Sequence, residues 1–450
     1  MTINRFFPAL FAAIIAIPSA VFAQGQPPAH AVLQTTPQTA LQSAPPQSLT
    51  LAQADAIALQ NRPRLRASIY AAQAAGEVTR EVRSTYFPTV EGNATGAAAE
   101  NNTRITAGGL NNPSVFDRYA NGIAVSQLVT NFGRTHNLSK SASLSAQAAQ
   151  QDSNATRASV LLEVNEAYYR VLQTQAVLRV GEEAVKERQL VADQVNELAK
   201  NQLKSGLDVS FANVNLGQAQ LLLTQAQNNV QAAYANLSLA LGYSTAQSYQ
   251  LTDLPLPPAP APDAAQFVAE ALGQRPEVQA GKLQSDSARA FEHAERDLWM
   301  PTLSAVGVAG LTPVYEAPLV DRYAAAGFDF SIPIFNGGLF SARHAEAHLQ
   351  SEETDQNLRE LQDQIVRDVR VAWLDANTAY QQLSVDQRLQ QQAAMALNLA
   401  QSRYKLGLSS IVELCQAQLN ETQAEIDEAS AKYQCQITVD ALNFQIGNLR

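Results

Sequence analysis

Apolar residues alternate with small or polar ones from Tyr323 to Ile334, and the period then changes abruptly at Asn336-Gly337-Gly338. From there a helical pattern runs without interruption to about Lys405, with Ile365, Val369, Ala372, Ala376, Ala379 and Leu383 at four-and-three spacing. The same transition occurs earlier in the chain. An alternating run from Arg118 to Val129 passes Gly133 into a helix predicted to reach about Lys204. Its apolar positions Leu161, Val164, Tyr168, Val171 and Leu178 extend through Val185 and Ala192 in one heptad frame. Ser126, Asn131 and Gly133 stand as Ser331, Asn336 and Gly338 do. A short strand that turns through glycine into a very long helix, present twice, predicts two matching halves.

The remaining elements fit that plan. A helical pattern covers Leu49 to Ser84, with Thr50 placed to cap it and Pro63 predicting a break at Asn61-Arg62. Tyr86-Phe87-Pro88 ends it. Alternation over Thr89 to Ala99, a polar loop from Glu100 to Pro113 and the Arg118 run predict a hairpin. Ser205-Gly206 breaks the long helix, and a shorter one follows from about Ser210 to Leu241, closed by Gly242. In the second half a helix runs from Ala264 to Asp297 with Arg275-Pro276 inside it. Strands follow at Thr302 to Gly310 and Tyr323 to Ile334, and a last helix starts near Ser409. Pro63 to Pro88 and Pro276 to Pro301 are both 25 residues, and Gly133 to Gly242 and Gly338 to Gly447 are both 109. The expected organisation is a signal peptide (1–23), a disordered leader (24–48), a first repeat (49–243), a stiff Pro-rich linker (244–263) and a second repeat (264–450).

Each long helix would be a rod of roughly 100 Å, and the two shorter helices of each repeat, stacked end to end, would match it. Ala, Gln and Asn crowd these helices and their apolar stripes are narrow, which suits a wall with water on both broad faces better than a globular core. Four strands cannot close a barrel, since about eight is the lower limit. Their alternation sets Ile123, Val125, Phe328, Phe330 and Ile332 on one face and Ala124, Ser126, Asp329 and Ser331 on the other. That is the pattern of a barrel with lipid outside and water inside. Tyr86, Phe87, Tyr119, Trp299 and Tyr323 lie where interfacial aromatic girdles would be. The chain is therefore expected to oligomerise, each copy adding four strands.

Composition narrows the chemistry. Residues 1–23 carry Arg5, an apolar run from Phe6 to Ile17 and Val21-Phe22-Ala23, the features of a secretory signal peptide. The net charge of −10 argues against nucleic acid as partner. Neither cysteine, Cys415 nor Cys435, follows the cleavage site to bear a lipid. On one helix the two would lie about 30 Å apart, out of reach of a disulfide. His344 and His348 sit at i, i+4, but Glu346 lies on another face and no third ligand is evident, so a surface histidine pair is expected. No catalytic constellation, metal site or cofactor-binding motif emerges; this is not the sequence of an enzyme.

Leu49-Thr50-Leu51-Ala52-Gln53-Ala54, Asn61-Arg62-Pro63, Tyr-Phe-Pro-Thr at 86–89, Asn-Phe-Gly-Arg at 131–134 and Pro-Ile-Phe-Asn-Gly-Gly at 333–338, on this duplicated plan, resemble the TolC-type outer-membrane efflux and secretion channels. The resemblance spans about Leu49 to Leu449. It implies an α+β membrane protein, a homotrimer whose duplicated helical hairpins form an α-barrel continuous with a 12-stranded β-barrel in the Gram-negative outer membrane. It also implies coupling across the periplasm to an adaptor protein and an inner-membrane pump or ABC exporter. The expected function is an efflux exit duct, with a type I protein secretion channel as the alternative and a periplasmic helical scaffold without a pore as the rival of another class. By the same resemblance the helical tips dock the adaptor through Gly206, Leu207 and Ser210 and through Gly407, Leu408, Ser409 and Ser410. Tyr404, Glu413 and Asn213 match or adjoin the family's periplasmic gate. Ser409 stands where the family has an arginine and Gln416 where it has an aspartate, which departs from its ionic lock. A threefold ring of Glu413 would collect cations.

Overall fold

The computed structural model describes residues 48–97, 118–312 and 321–449. The expected signal peptide, nearly all of the leader and the Glu100–Pro113 loop lie outside them. The element order is β1 (Ser48–Leu49), α1 (Leu51–Asn61), α2 (Pro63–Ser84), β2 (Thr89–Ala97), β3 (Arg118–Thr130), α3 (Arg134–Lys200) and α4 (Gly206–Ala240) in the first half. It continues with β4 (Gln250–Leu251), α5 (Ala264–Gln274), α6 (Pro276–Arg296), β5 (Thr302–Leu311), β6 (Arg322–Ser331), α7 (Leu339–Lys405) and α8 (Ile411–Ile446). Both long helices, α3 and α7, have 67 residues. No helix among the described residues is long and apolar enough to cross a membrane.

Local chemistry sets the boundaries. Thr50 caps α1 with its side chain accepting from the Gln53 amide, while Gln53 reaches back to the Thr50 amide. Pro63 and Pro276 open α2 and α6 at the first helical position, where a missing N–H costs nothing. The turns from strand into long helix place Gly133 and Gly338 at φ +113° and +86°, which side chains with a Cβ rarely adopt. Besides α3, which stops at Lys200 rather than about Lys204, two boundaries differ from the sequence reading. The first is α4, which begins at Gly206 rather than Ser210, because Ser205 and Asp208 form a capping box that starts the helix immediately after the turn. The second is β6, which ends at Ser331, so Ile332 lies beyond the strand; Pro333 has no N–H with which to continue the ladder.

The helices form a strip four wide. In the half nearer the sheet the order is α2, α3, α6, α7; in the other half it is α4, α3, α8, α7. Ile365, Val369, Ala372, Ala376, Ala379 and Leu383 are all buried on α7, as are Leu161, Val164, Tyr168 and Val171 on α3. Both seams the heptads predicted are therefore occupied. Cys415 and Cys435 are buried, unbridged thiols on α8.

The repeated motifs meet in space. Gly242 packs on the Asn61 backbone beside the Arg62-Pro63 kink, and Arg62 Nη1 donates to Leu239 O at 2.8 Å. In the second half Gly447 packs on the Arg275 backbone, and Arg275 Nη1 donates to Gln445 Oε1 at 2.7 Å. A Cβ at Gly447 would come within 3.3 Å of that backbone, and one at Gly242 within 3.0 Å of the Asn61 backbone, so each repeat closes on a glycine.

The segment 244–263, expected as a stiff linker, carries β4, which pairs in parallel with β1. The segment is then strapped across three helices. Tyr168 on α3 has its hydroxyl 2.9 Å from Leu49 O and 2.8 Å from Thr252 O, and accepts from the Thr252 amide. Gln436 on α8 donates to Leu254 O at 3.0 Å, and Trp373 on α7 donates to Ala261 O at 2.9 Å. Prolines leave carbonyls free along this stretch, and the helices supply the donors.

Candidate functional site

The sheet comes first. β2, β3, β5 and β6 form one antiparallel sheet in that order, with a bulge in β3 between Leu128 and Thr130. Because partners across a ladder share a face, the register puts Val90, Ile123, Val125, Ala305, Phe328 and Phe330 together. Of these Phe328 is 76% and Val90 65% exposed, so the apolar face is largely uncovered by the described residues. The opposite face carries Glu91, Asn93, Ser126, Ser304, Asp329 and Ser331, interrupted by Val306 and Val308. Burying the apolar face needs lipid or another chain.

The aromatics divide. Tyr86, Phe87 and Trp299 are exposed where α2 and α6 hand over to β2 and β5, and Trp299 stacks edge-on against Phe340 at 5.6 Å. Tyr323 differs from the sequence reading: it lies on the face opposite Phe328, folded over Gly310 and Gly122. Its ring fills the space that two side-chain-free positions in adjacent strands leave, a tyrosine covering glycines. Tyr119 pairs with Gly96 in the ladder at the same end of the sheet; its side chain lies outside the described residues.

At the other end of the strip, the turns of the two helical hairpins present Leu203, Leu207, Leu406 and Leu408, each between 65% and 74% exposed. Gly206 is the first residue of α4 with open space around it, whereas Gly407 sits in its turn at φ +73°. Ser210 is spent within α4, its hydroxyl donating to Gly206 O at 3.0 Å, and Ser410 caps α8. The Ser409 hydroxyl is buried without a partner.

The gate residues named from sequence are only partly brought together. Tyr404 has a buried hydroxyl with no hydrogen-bond partner, and its ring lies 4.3 Å below the Lys204 ammonium of the other hairpin. Burial, with the Asp208 charge adding to it, pushes the Tyr404 phenol above its ordinary value. Asp208 is the carboxylate whose charge acts on Tyr404, and Asn213 is exposed on α4. Glu413 is not a free carboxylate either: Arg403 Nε lies 3.2 Å from it. Sequence reasoning missed Lys204, Asp208 and Arg403. Arg403 stands next to Tyr404, and that adjacency was the available signal. His344 and His348 flank Glu292 of α6, with His348 Nδ1 at 3.1 Å. Among the described residues no three histidine, cysteine or carboxylate groups converge to hold a metal ion.

A family profile described as outer membrane efflux protein matches residues 56–243 and 267–448. The chain belongs to the outer membrane efflux protein family. Its two matched blocks coincide with the two repeats and leave out the strap between them. Among curated relatives, the toluene efflux pump outer membrane protein TtgI of Pseudomonas putida is 25% identical over 375 residues, covering 80% of this chain and 77% of that one. The cation efflux system protein CusC of Escherichia coli O157:H7 is 22% identical, covering 80% and 78%. Among solved structures, a membrane protein from Pseudomonas aeruginosa aligns with a TM-score of 0.77 at 22% identity, over 88% of this chain and 93% of that one. The open state of the Neisseria gonorrhoeae MtrE outer membrane channel aligns with a TM-score of 0.73 at 19% identity, over 89% of each. The likeness to the solved structures is one of fold. Lys204, Asp208 and Arg403 are carried by the geometry of this chain alone.

Proposed function

We propose that three copies of this chain form one continuous duct through the outer membrane and into the periplasm, the exit path of an efflux system. The observation that carries this reading is that sheet and helical strip are open along the same two sides. The sheet has free edges at β2 and β6. β2 follows directly from α2, and β6 leads directly into α7, and these helices are the outer members of the strip. One side exposes Tyr70, Val78, Val214 and Leu221; the other exposes Leu349, Leu374, Leu389 and Leu399. The two edges differ, so copies join head to tail and must close into a ring or grow into a filament. Three copies pool twelve strands, enough for a water-filled barrel, where one copy has four.

The apolar face with Phe328 and Phe330 meets lipid, and the face with Glu91 and Asp329 lines the lumen. The sequence carries no phosphate-cradling glycine loop, and we infer that transport is driven by an inner-membrane pump that reaches the duct through a periplasmic adaptor. The relatives' names span toluene, solvents, antibiotics and cations, which supports passive conduction of small molecules, with selection made by the pump. The exposed leucines at the tips are the adaptor's docking surface. Lys204, Tyr404, Asp208 and the Arg403–Glu413 pair hold the tips together when the duct is closed.

Purified protein reconstituted in planar bilayers should give discrete conductance steps and run as a heat-modifiable trimer on gels. A monomer soluble without detergent and silent in bilayers would overturn the reading in favour of a poreless scaffold. Docking is tested by Gly206→Trp, at a position where an added Cβ meets no atom within 4 Å. It should abolish export and leave trimers intact. Gly407→Trp is a poorer probe because its φ of +73° adds strain.

A further inference from the structure

In the half of the strip away from the sheet, the first hairpin (α3–α4) meets the second (α7–α8) chiefly along α3 and α8. Near the tip this seam is apolar, built from Ala192, Val195, Ala212, Ile411 and Leu414. Farther from the tip comes a layer of another kind. Arg188 of α3 is 3% exposed, Asn215 of α4 4%, and Gln418 and Thr422 of α8 2% and 7%. Arg188 Nη1 donates to Asn215 O at 3.3 Å. Its Nη2 donates to Thr422 Oγ1 at 3.0 Å and, at 3.5 Å, to Gln418 O. Asn215 Nδ2 donates to Gln418 Oε1 at 2.7 Å. One arginine thus joins both hairpins.

The layer is incompletely satisfied. Asn215 Oδ1 and Gln418 Nε2 are buried without partners, and Arg188 forms no salt bridge among the described residues. Burial pulls the guanidinium below its ordinary pKa, with Cys415, Glu187 and Glu421 acting the other way. Such a layer holds a seam less tightly than apolar side chains of equal volume, and what it supplies in exchange is a defined register. Its orphaned groups would find partners in water. Parting the helices here therefore recovers hydration that parting an Ala/Leu layer does not.

We propose that the Arg188 layer is where the α3–α8 seam parts when the duct opens, and that it fixes the register of the two hairpins in the closed state. The proposal rests on reading the tips as a gate, and it adds a hydratable hinge point above them.

The test replaces the layer with apolar residues, R188M/N215L/Q418L, in the full-length protein. Trimers should persist with raised thermal stability, while open-state occupancy in planar bilayers falls about tenfold or more. A role confined to stability would not couple a more stable trimer to a channel that stays shut. T422V works in the opposite direction: it removes the 3.0 Å bond, leaves the buried charge less satisfied, and should raise open occupancy roughly tenfold. Should the triple variant fail to assemble, T422V decides alone. A conducting wild type whose occupancy neither variant alters overturns this inference only; a wild type that never conducts overturns the pore and the hinge together.

Discussion

Where the sheet meets the helices, Glu295 at the end of α6 is 1% exposed and holds two arginines from different helices. Arg343 of α7 approaches it at 2.7 Å and Arg134 of α3 at 3.7 Å. Glu295→Gln keeps the volume and removes the charge. Breaking a fully buried ion pair in this way costs about 3–5 kcal/mol, because the partners are left uncompensated. Here the arginine side chains are 43% and 30% exposed, so water takes up part of that cost. The expected loss is about 2–3 kcal/mol per chain after that discount. The assay is thermal or guanidinium unfolding of the purified protein in detergent, followed by helix circular dichroism. Arg343→Gln and the double variant complete a cycle whose coupling should be about 1–2 kcal/mol. A Glu295→Gln loss below about 0.5 kcal/mol would refute the view that this carboxylate clamps α3, α6 and α7 beneath the sheet.

Two further outcomes follow from buried polar groups elsewhere. On α8, burial raises the Glu425 carboxyl to about 8, with the hydrogen bond that its protonated form donates to Glu421 and the charges of Glu421, Glu183 and Glu428 adding to it. The folded chain then keeps a proton that the unfolded chain has released, so stability falls as pH rises from about 4.5 to about 8. Glu425→Gln should flatten this slope and stabilise the protein at pH 8 by about 1–2 kcal/mol after solvent screening, measured by unfolding at several pH values; an unchanged slope would count against it. Tyr168→Phe removes the hydroxyl that joins β1 and β4 to α3, and should cost about 1–3 kcal/mol and expose the Gln250–Pro262 stretch to protease; resistance equal to wild type would show that the strap does not depend on this group.

Much of this architecture was legible because its signals are periodic. Both 67-residue helices, their buried stripes and the strand alternation follow from spacing, which survives without knowledge of neighbours. Each repeat also closes by contact, Gly242 on Asn61 and Gly447 on Arg275, so the glycine that ends each half was a legible landmark. What could not be read was anything made by residues far apart. Nothing in Leu-Pro-Leu-Pro-Pro says that helix donors from Gln436 and Trp373 await its carbonyls. Tyr323 looked like a girdle aromatic by its position at a strand end, but parity puts it on the face opposite Phe328, where glycines leave room for it. At the tips, matching positions against the family pointed to Asn213, whereas the turn geometry brings Asp208 and Lys204 to Tyr404.

The departures from exact repetition carry their own logic. The glutamate clamp has no counterpart in the first half, where Val82 occupies the position equivalent to Glu295 in the Pro63-to-Pro276 alignment. The Arg188 layer is likewise drawn from unequal positions of the two hairpins. Duplication alone would give two identical repeats able to pair in several registers and orders. Within one chain, α3 meets α6 and α8 on one side, while α7 stands at the edge of the strip. Polar groups that match only across the α3 side make that choice, since the wrong pairing would leave Glu295 or Arg188 buried without a partner. On the proposed trimeric duct, the charged layers would bear on assembly as much as on opening: they make the two halves of one chain recognise each other first, and leave the α2, α4 and α7 edges for the proposed ring closure.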